Sequence, residues 1–129
     1  VSGADDQTLA KIYAGARALV VPGVEDFGLV PVEVMAAGKP VITANRGGTS
    51  ETVIGWKYWK EDPDWTKLTG LNIRVNDSVQ SVLEAIRVFL DNEGSFSEDV
   101  CIARSRDFSV ERFKTDWNGF VSKYVKAEE

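Results

Sequence analysis

Two short apolar runs, ALVVP (18–22) and PVITA (40–44), limit what this chain can become. Each is rich in β-branched residues and touches a proline. Neither has the polar alternation of a strand with one wet face. Such runs read as strands buried on both sides. Between them VPVEVMAA (30–37) reads as a short helix, with Pro31 in its first turn and Gly38 just past its end. A strand, a helix and a second strand in this order predict a parallel pair joined by a crossover helix.

The remaining elements extend that pattern. GLNIRV (70–75) is a third strand, and VSG (1–3) reads as the tail of a fourth. Asp5-Asp6 followed by Leu9, Ile12, Tyr13 and Ala16 predicts a capped amphipathic helix. Asp77 is expected to cap a helix through Leu90, with Gln80 completing a capping box. In that helix Val79, Val82, Leu83, Ile86 and Leu90 keep helical spacing. Ser97 opens a further helix to Ser105. Ser109 starts the last one, with Val110, Phe113, Trp117, Phe120, Val121 and Tyr124 on one face. The order α-β-α-β-loop-β-α-α-α predicts an α/β, Rossmann-like three-layer domain with a parallel sheet, residues 1–129 forming one domain. Three strands are few, so an open sheet edge is expected, covered by a further segment or by an oligomer partner.

Composition excludes several functions. A net charge of −5 argues against a nucleic-acid binder, though backbone amides can still hold a small anion. With no histidine, Ser-His-Asp and Cys-His catalysis and His-based zinc sites are absent from the chain. The single cysteine, Cys101, precludes an internal disulfide and points to a reducing compartment; it reads as a small buried hydrophobe. No apolar run approaches membrane-span length.

In a parallel α/β sheet, ligands bind beyond the carboxyl ends of the strands. PGVEDFG (22–28) and NRGGTSE (45–51) follow the first two strands and should open on the same edge. The first leads into a helix N-terminus, whose unpaired donors and partial positive charge suit a phosphate. Gly28 allows close backbone approach. Glu25 and Glu33 flank that turn, and carboxylates suit hydroxyl-rich groups. Anions in the middle and hydroxyls at both ends describe a nucleoside diphosphate sugar. The plainer alternative is a solvated acidic loop, an exposed helix glutamate and a simple turn glycine.

The stretch EDFGLVPVEVMAAGKPVITANRGGTSE resembles the C-terminal domain of retaining GT-B glycosyltransferases of the group 1, family 4 type. The motifs that carry the likeness are Glu25, seven residues, Glu33, then Ala37-Gly38-Lys39-Pro40-Val41-Ile42 and Gly47-Gly48-Thr49-Ser50-Glu51. The likeness extends to LAKIYAGARALVVP, Thr69-Gly70 and DFSVERF, and its EDFG variant looks most like mannosyltransferases of polysaccharide assembly.

The resemblance implies a donor such as GDP-mannose or UDP-glucose and no resident cofactor or metal. It implies Glu33 on the ribose hydroxyls and Glu25 on the transferred hexose, supporting charge at its anomeric carbon. The amides of Phe27, Gly28 and Leu29 would meet the sugar and diphosphate. It also implies an Arg and a Lys on earlier strands, a separate N-terminal acceptor domain, and a glycan or lipid-linked acceptor. On that reading the 129-residue chain alone transfers little sugar. The expected location is cytoplasmic, and for a full-length protein peripheral at the inner membrane face. The alternatives are a non-catalytic nucleotide-sugar-binding module and an interaction domain that uses the sheet edge.

Four further groups stand near this picture. Arg46, with Gly47, Gly48 and Glu51, is a candidate cleft residue; Arg46 either assists the phosphates or is simply solvated. Glu51 either faces the acceptor or caps the helix that follows. Lys39 reads as a surface residue. Trp56, Tyr58, Trp59 and Trp65 form an aromatic loop within 55–68, either an acceptor or membrane contact or, preferably, rings that anchor the loop to its own domain. Phe113, Trp117 and Phe120 are expected to face the core or another domain.

Overall fold

The computed structural model describes residues 3–44, 46–74 and 78–125. The strand tail at Val1-Ser2, the end of the third strand at Val75 and the cap at Asp77 lie outside the described residues.

The chain begins with α1 (Asp6–Gly15), capped by the Asp5 carboxylate, which accepts from the Thr8 amide at 2.7 Å. Hydrogen bonding to Thr8, from its side chain first and its amide second, lowers the Asp5 pKa. Strand β1 (Leu19–Val21) leads to α2 (Leu29–Ala36) and β2 (Val41–Ala44). The short α3 (Thr49–Thr52) and β3 (Gly55–Trp56) follow, then β4 (Gly70–Ile73). The rest is helical: α4 (Val79–Asn92), a 3-10 turn (Glu93–Ser95), α5 (Glu98–Arg106) and α6 (Val110–Tyr124).

The described strands form one parallel sheet of four, in the order β1-β2-β4-β3. The fourth strand is therefore β3, drawn from the start of the aromatic loop. It contributes only Gly55 and Trp56, opposite Gly70 and Leu71. Two residues cannot establish a period, so the sequence pattern gives no signal for it. Asn72 of β4, buried, donates to the Gly55 carbonyl at 3.0 Å and ties this edge.

Side-chain alternation along the strands divides the core into two layers. On one face Leu19, Val21 and Val41 pack with Val34 and Met35 of α2, Cys101 of α5 and Tyr13 of α1. On the other, Ile42, Leu71 and Ile73 pack with Ala85 and Phe89 of α4. This is the predicted three-layer α/β arrangement. It differs from the expectation of a strand buried on both sides at β1. In the described chain β1 is an edge paired only with β2, and Val20 is 40% exposed.

Two helices depart from expectation. In α4 the cap is Ser78, whose hydroxyl accepts from the Ser81 amide, and the buried face is Ser81, Ala85 and Phe89. Val79, Leu83 and Leu90 of the predicted stripe are exposed. Val82 and Ile86 of that stripe do pack against the core, beside Ala85, which is small enough to bring the helix close to Ile42 and Leu71. In α6 the aromatic face exists, but no residue of the helix is buried, so it does not face the core of this domain. By contrast, α5 and α6 carry the expected serine caps, Ser97 and Ser109.

The aromatic loop folds back on its own domain, with its rings as anchors. Trp56 and Tyr58 join the α4-side core. Trp65 packs edge-on between Trp56 and Phe96, with both ring separations 5.2 Å. The Trp56 indole N–H donates to the Glu61 carbonyl at 2.9 Å, so the polar end of the ring is satisfied within the loop.

Candidate functional site

The loops after β1 and β2 are joined backbone to backbone. Glu25 and Gly47 form an isolated parallel bridge, and the Gly48 amide donates to the Glu25 carbonyl at 2.7 Å. The approach requires glycine. A Cβ on Gly48 would lie 2.3 Å from the Asp26 carbonyl oxygen and 2.5 Å from the Phe27 Cα. The two loops therefore open on the same sheet edge, as their positions after parallel strands predict.

This stitching fixes the entry to α2. Gly28 is the N-cap residue, held at φ 85°, ψ 60°. That left-handed conformation suits glycine, and an added Cβ would also press on Thr49 Cγ2 at 3.1 Å. Thr49 is itself anchored: its hydroxyl reaches the carbonyls of Ala44 at 3.1 Å and Arg46 at 3.0 Å. Among the described residues no acceptor meets the amides of Phe27, Gly28, Leu29 or Val30. Pro31 has no amide hydrogen to offer. Orphan amides at a helix start carry partial positive charge and can receive an anion.

Both glutamates are exposed, at the two ends of this turn. Glu33 has a partner that sequence reasoning did not assign. The Tyr13 hydroxyl on α1 donates to Glu33 Oε2 at 3.0 Å. Burial, then the bond to Glu33 and its charge, raise the Tyr13 pKa. Tyr13 and Glu33 share a groove of about 280 Å³ with Asp6, Leu9, Ala10 and Ala36. Phe27 is half exposed, and its ring meets Phe108 edge-on at 5.9 Å.

The remaining candidates divide. Arg46 is half-buried and lines a pocket of about 320 Å³ with Arg74, Ile73, Pro22 and Ser78, beyond the strand ends. Glu51 lies inside α3 rather than before a following helix, so it caps nothing that follows; its side chain is exposed. Lys39 is more than a surface residue. Its ammonium meets Glu98 Oε1 at 2.7 Å with the side chain only 20% exposed, pinning α5 beside the end of α2.

Arg104 is a second residue that sequence reasoning missed. Its guanidinium donates to the carbonyls of Thr52, at 3.0 Å, and Glu51, and to the Asp107 carboxylate at 2.9 Å. It thereby satisfies the open C-terminal carbonyls of α3 and secures the Gly-Gly loop from α5. Nothing in local spacing links residues so far apart. Among the described residues no group of three His, Cys, Asp or Glu side chains could hold a metal, and no helix is long and apolar enough to cross a membrane.

Residues 1–107 match the family described as glycosyl transferases group 1. The chain belongs to that family. Among its curated relatives, an alpha-1,3/1,6-mannosyltransferase of Neurospora crassa is 43% identical over 68 residues, covering 47% of this chain and 14% of the relative. The alpha-1,3/1,6-mannosyltransferase of Candida glabrata is 52% identical over 44 residues, 34% of this chain and 9% of the relative. A glycogen synthase of Mycobacterium tuberculosis is 33% identical over 122 residues, 95% of this chain and 27% of the relative. This group 1 glycosyltransferase chain thus spans about a quarter or less of the length of these relatives.

Proposed function

We propose that the chain is the donor-binding part of a glycosyltransferase that moves a hexose, mannose by preference, from a nucleoside diphosphate sugar with retention of configuration. The observation that carries this reading is the stitched pair of loops. The Gly48 bond to Glu25 holds a row of amides, Phe27 to Leu29, at the start of α2, with Glu25 and Glu33 at either end.

On this reading the amides stabilise the diphosphate, most strongly as the sugar departs and charge builds on the leaving oxygens. Glu33 accepts hydrogen bonds from the ribose hydroxyls. Glu25 accepts from the hexose and offsets positive charge at its anomeric carbon. The bond from that carbon to the phosphate oxygen breaks as the acceptor oxygen bonds to the carbon on the same face. The acceptor proton passes to the leaving phosphate. Arg46 lies beyond the same strand ends and is proposed as a cleft residue with Gly47, Gly48 and Glu51. No metal or cofactor is required in this scheme.

Transfer is proposed for a longer protein in which an acceptor-binding domain, with a glycan or lipid-linked sugar as acceptor, completes the cleft. The mannosyl preference is supported by the names of two of the relatives, and a place in polysaccharide assembly by analogy alone. A cytoplasmic, membrane-peripheral setting belongs to the same proposal. Calorimetric titration of the 129-residue chain with GDP, UDP, GDP-mannose and UDP-glucose tests the donor site. Saturable binding weakened by Glu33→Ala is expected. No binding of any of the four at millimolar concentration would sink the reading.

A further inference from the structure

We infer that Tyr13 is a positioning residue for Glu33, orienting its carboxylate for the two hydroxyls of a ribose ring. The inference rests on the donor-site reading above and assigns a role to a residue outside both loops. Tyr13 stands twenty positions before Glu33, on a different helix, yet its hydroxyl donates to Oε2 at 3.0 Å.

A glutamate on the exposed face of a helix ordinarily samples several rotamers, and ordering it on ligand binding costs side-chain entropy. Here the Tyr13 ring, half-buried, packs against the core layer that includes Val34, Met35 and Val41. That packing limits the ring, and with it the position of the hydroxyl. Binding one carboxylate oxygen to it restricts the glutamate before any ligand arrives. Oε2 keeps a further lone pair, and Oε1 is left to accept from a ligand. A carboxylate held in this way matches a vicinal diol, whose two hydroxyls can reach the two oxygens together.

Tyr13 is also suited chemically to the task. A phenol is an ordinary donor throughout the neutral range, and burial first and Glu33 second move the Tyr13 pKa further up. A phenolate would repel the glutamate. The shared groove of Tyr13 and Glu33 between α1 and α2 leaves room beside the carboxylate for a ring substituent.

The test compares GDP and UDP with their 2′-deoxy counterparts on wild type, Tyr13→Phe and Glu33→Ala. A packing defect would weaken ribo and deoxy ligands alike, whereas lost positioning weakens the ribo ligand selectively. Tyr13→Phe is expected to lower the ribo-over-deoxy preference by about fivefold, the size of one net hydrogen bond, with an unchanged unfolding midpoint. Glu33→Ala should abolish the preference. If Glu33→Ala abolishes it and Tyr13→Phe leaves it at the wild-type value, the inference about Tyr13 is wrong while the donor site stands. If wild type binds none of the nucleotides, or Glu33→Ala changes nothing, the donor-site reading fails and takes this inference with it.

Discussion

The amide of Gly48 donates to the carbonyl oxygen of Glu25 at 2.7 Å, which makes one unit of two loops that follow different strands. The sheet brings both loops to one edge, and this bond, with the neighbouring Glu25–Gly47 bridge, sets their spacing. The glycine is required because backbone, not a movable side chain, occupies the space where a Cβ would go.

Gly48→Ala should therefore push the loops apart. We expect a loss of about 1–3 kcal/mol in urea unfolding, the typical range for overpacking. Nucleotide affinity should fall along with it. Gly94→Ala is the control, since a Cβ there meets nothing within 4 Å. Equal unfolding midpoints for the two variants would refute the steric account of the loop junction.

How far the sequence revealed this arrangement depends on the distance over which each signal acts. β1, β2 and β4 were legible because each lies in a short, mainly apolar run bounded by turn residues; the same signal does not tell an edge strand such as β1 from a buried one. That the two loops open on one sheet edge followed from the succession of parallel strands, whereas their backbone junction at Glu25, Gly47 and Gly48 did not. Glu25, Glu33 and Gly28 stood out through residue type and spacing. Tyr13 and Arg104 did not, because each acts across a gap of 20 or more residues and looks locally like an ordinary helix residue. The α4 face was legible only in part, at Val82 and Ile86, for a related reason. Counting large apolar residues favours Leu83 and Leu90, whereas close packing on the sheet favours Ala85.

Cys101 lies fully buried on α5, with its sulfur 4.0 Å from the Thr69 carbonyl oxygen. Burial pushes its thiol from 9.0 up to about 11, the Glu98 carboxylate adds to the rise, and Lys39 opposes it. The folded chain thus keeps a proton that the unfolded chain has already lost, and stability must fall as pH rises. The contribution is whole below about pH 9 and is lost by about pH 11, a span worth roughly 2–3 kcal/mol. Urea unfolding over that range should fall more steeply for wild type than for Cys101→Ala. Tyrosine and lysine titration is common to both proteins, so parallel slopes would rule the thiol out as the cause.

The last helix sets a different expectation. Val110, Phe113, Trp117, Phe120 and Tyr124 recur at alternating intervals of three and four, the spacing of a seam that meets another apolar surface. Instead Phe113 is 65% and Trp117 55% exposed, their rings stacked at 6.1 Å beside a groove of about 480 Å³ that reaches Phe27. An apolar stripe of this kind costs free energy in water and attracts any mobile apolar group. The 129-residue chain should therefore enhance the fluorescence of an anilinonaphthalene dye in its native state. Because no α6 residue is buried, Phe113→Glu with Trp117→Glu should remove most of that signal while shifting stability by only about 0.5 kcal/mol per site. Loss of several kcal/mol in the double variant would instead mean that the stripe packs against the domain in solution. Unchanged dye binding would move the apolar surface elsewhere, to the exposed Val24, Leu29 and Val30 around the donor loop.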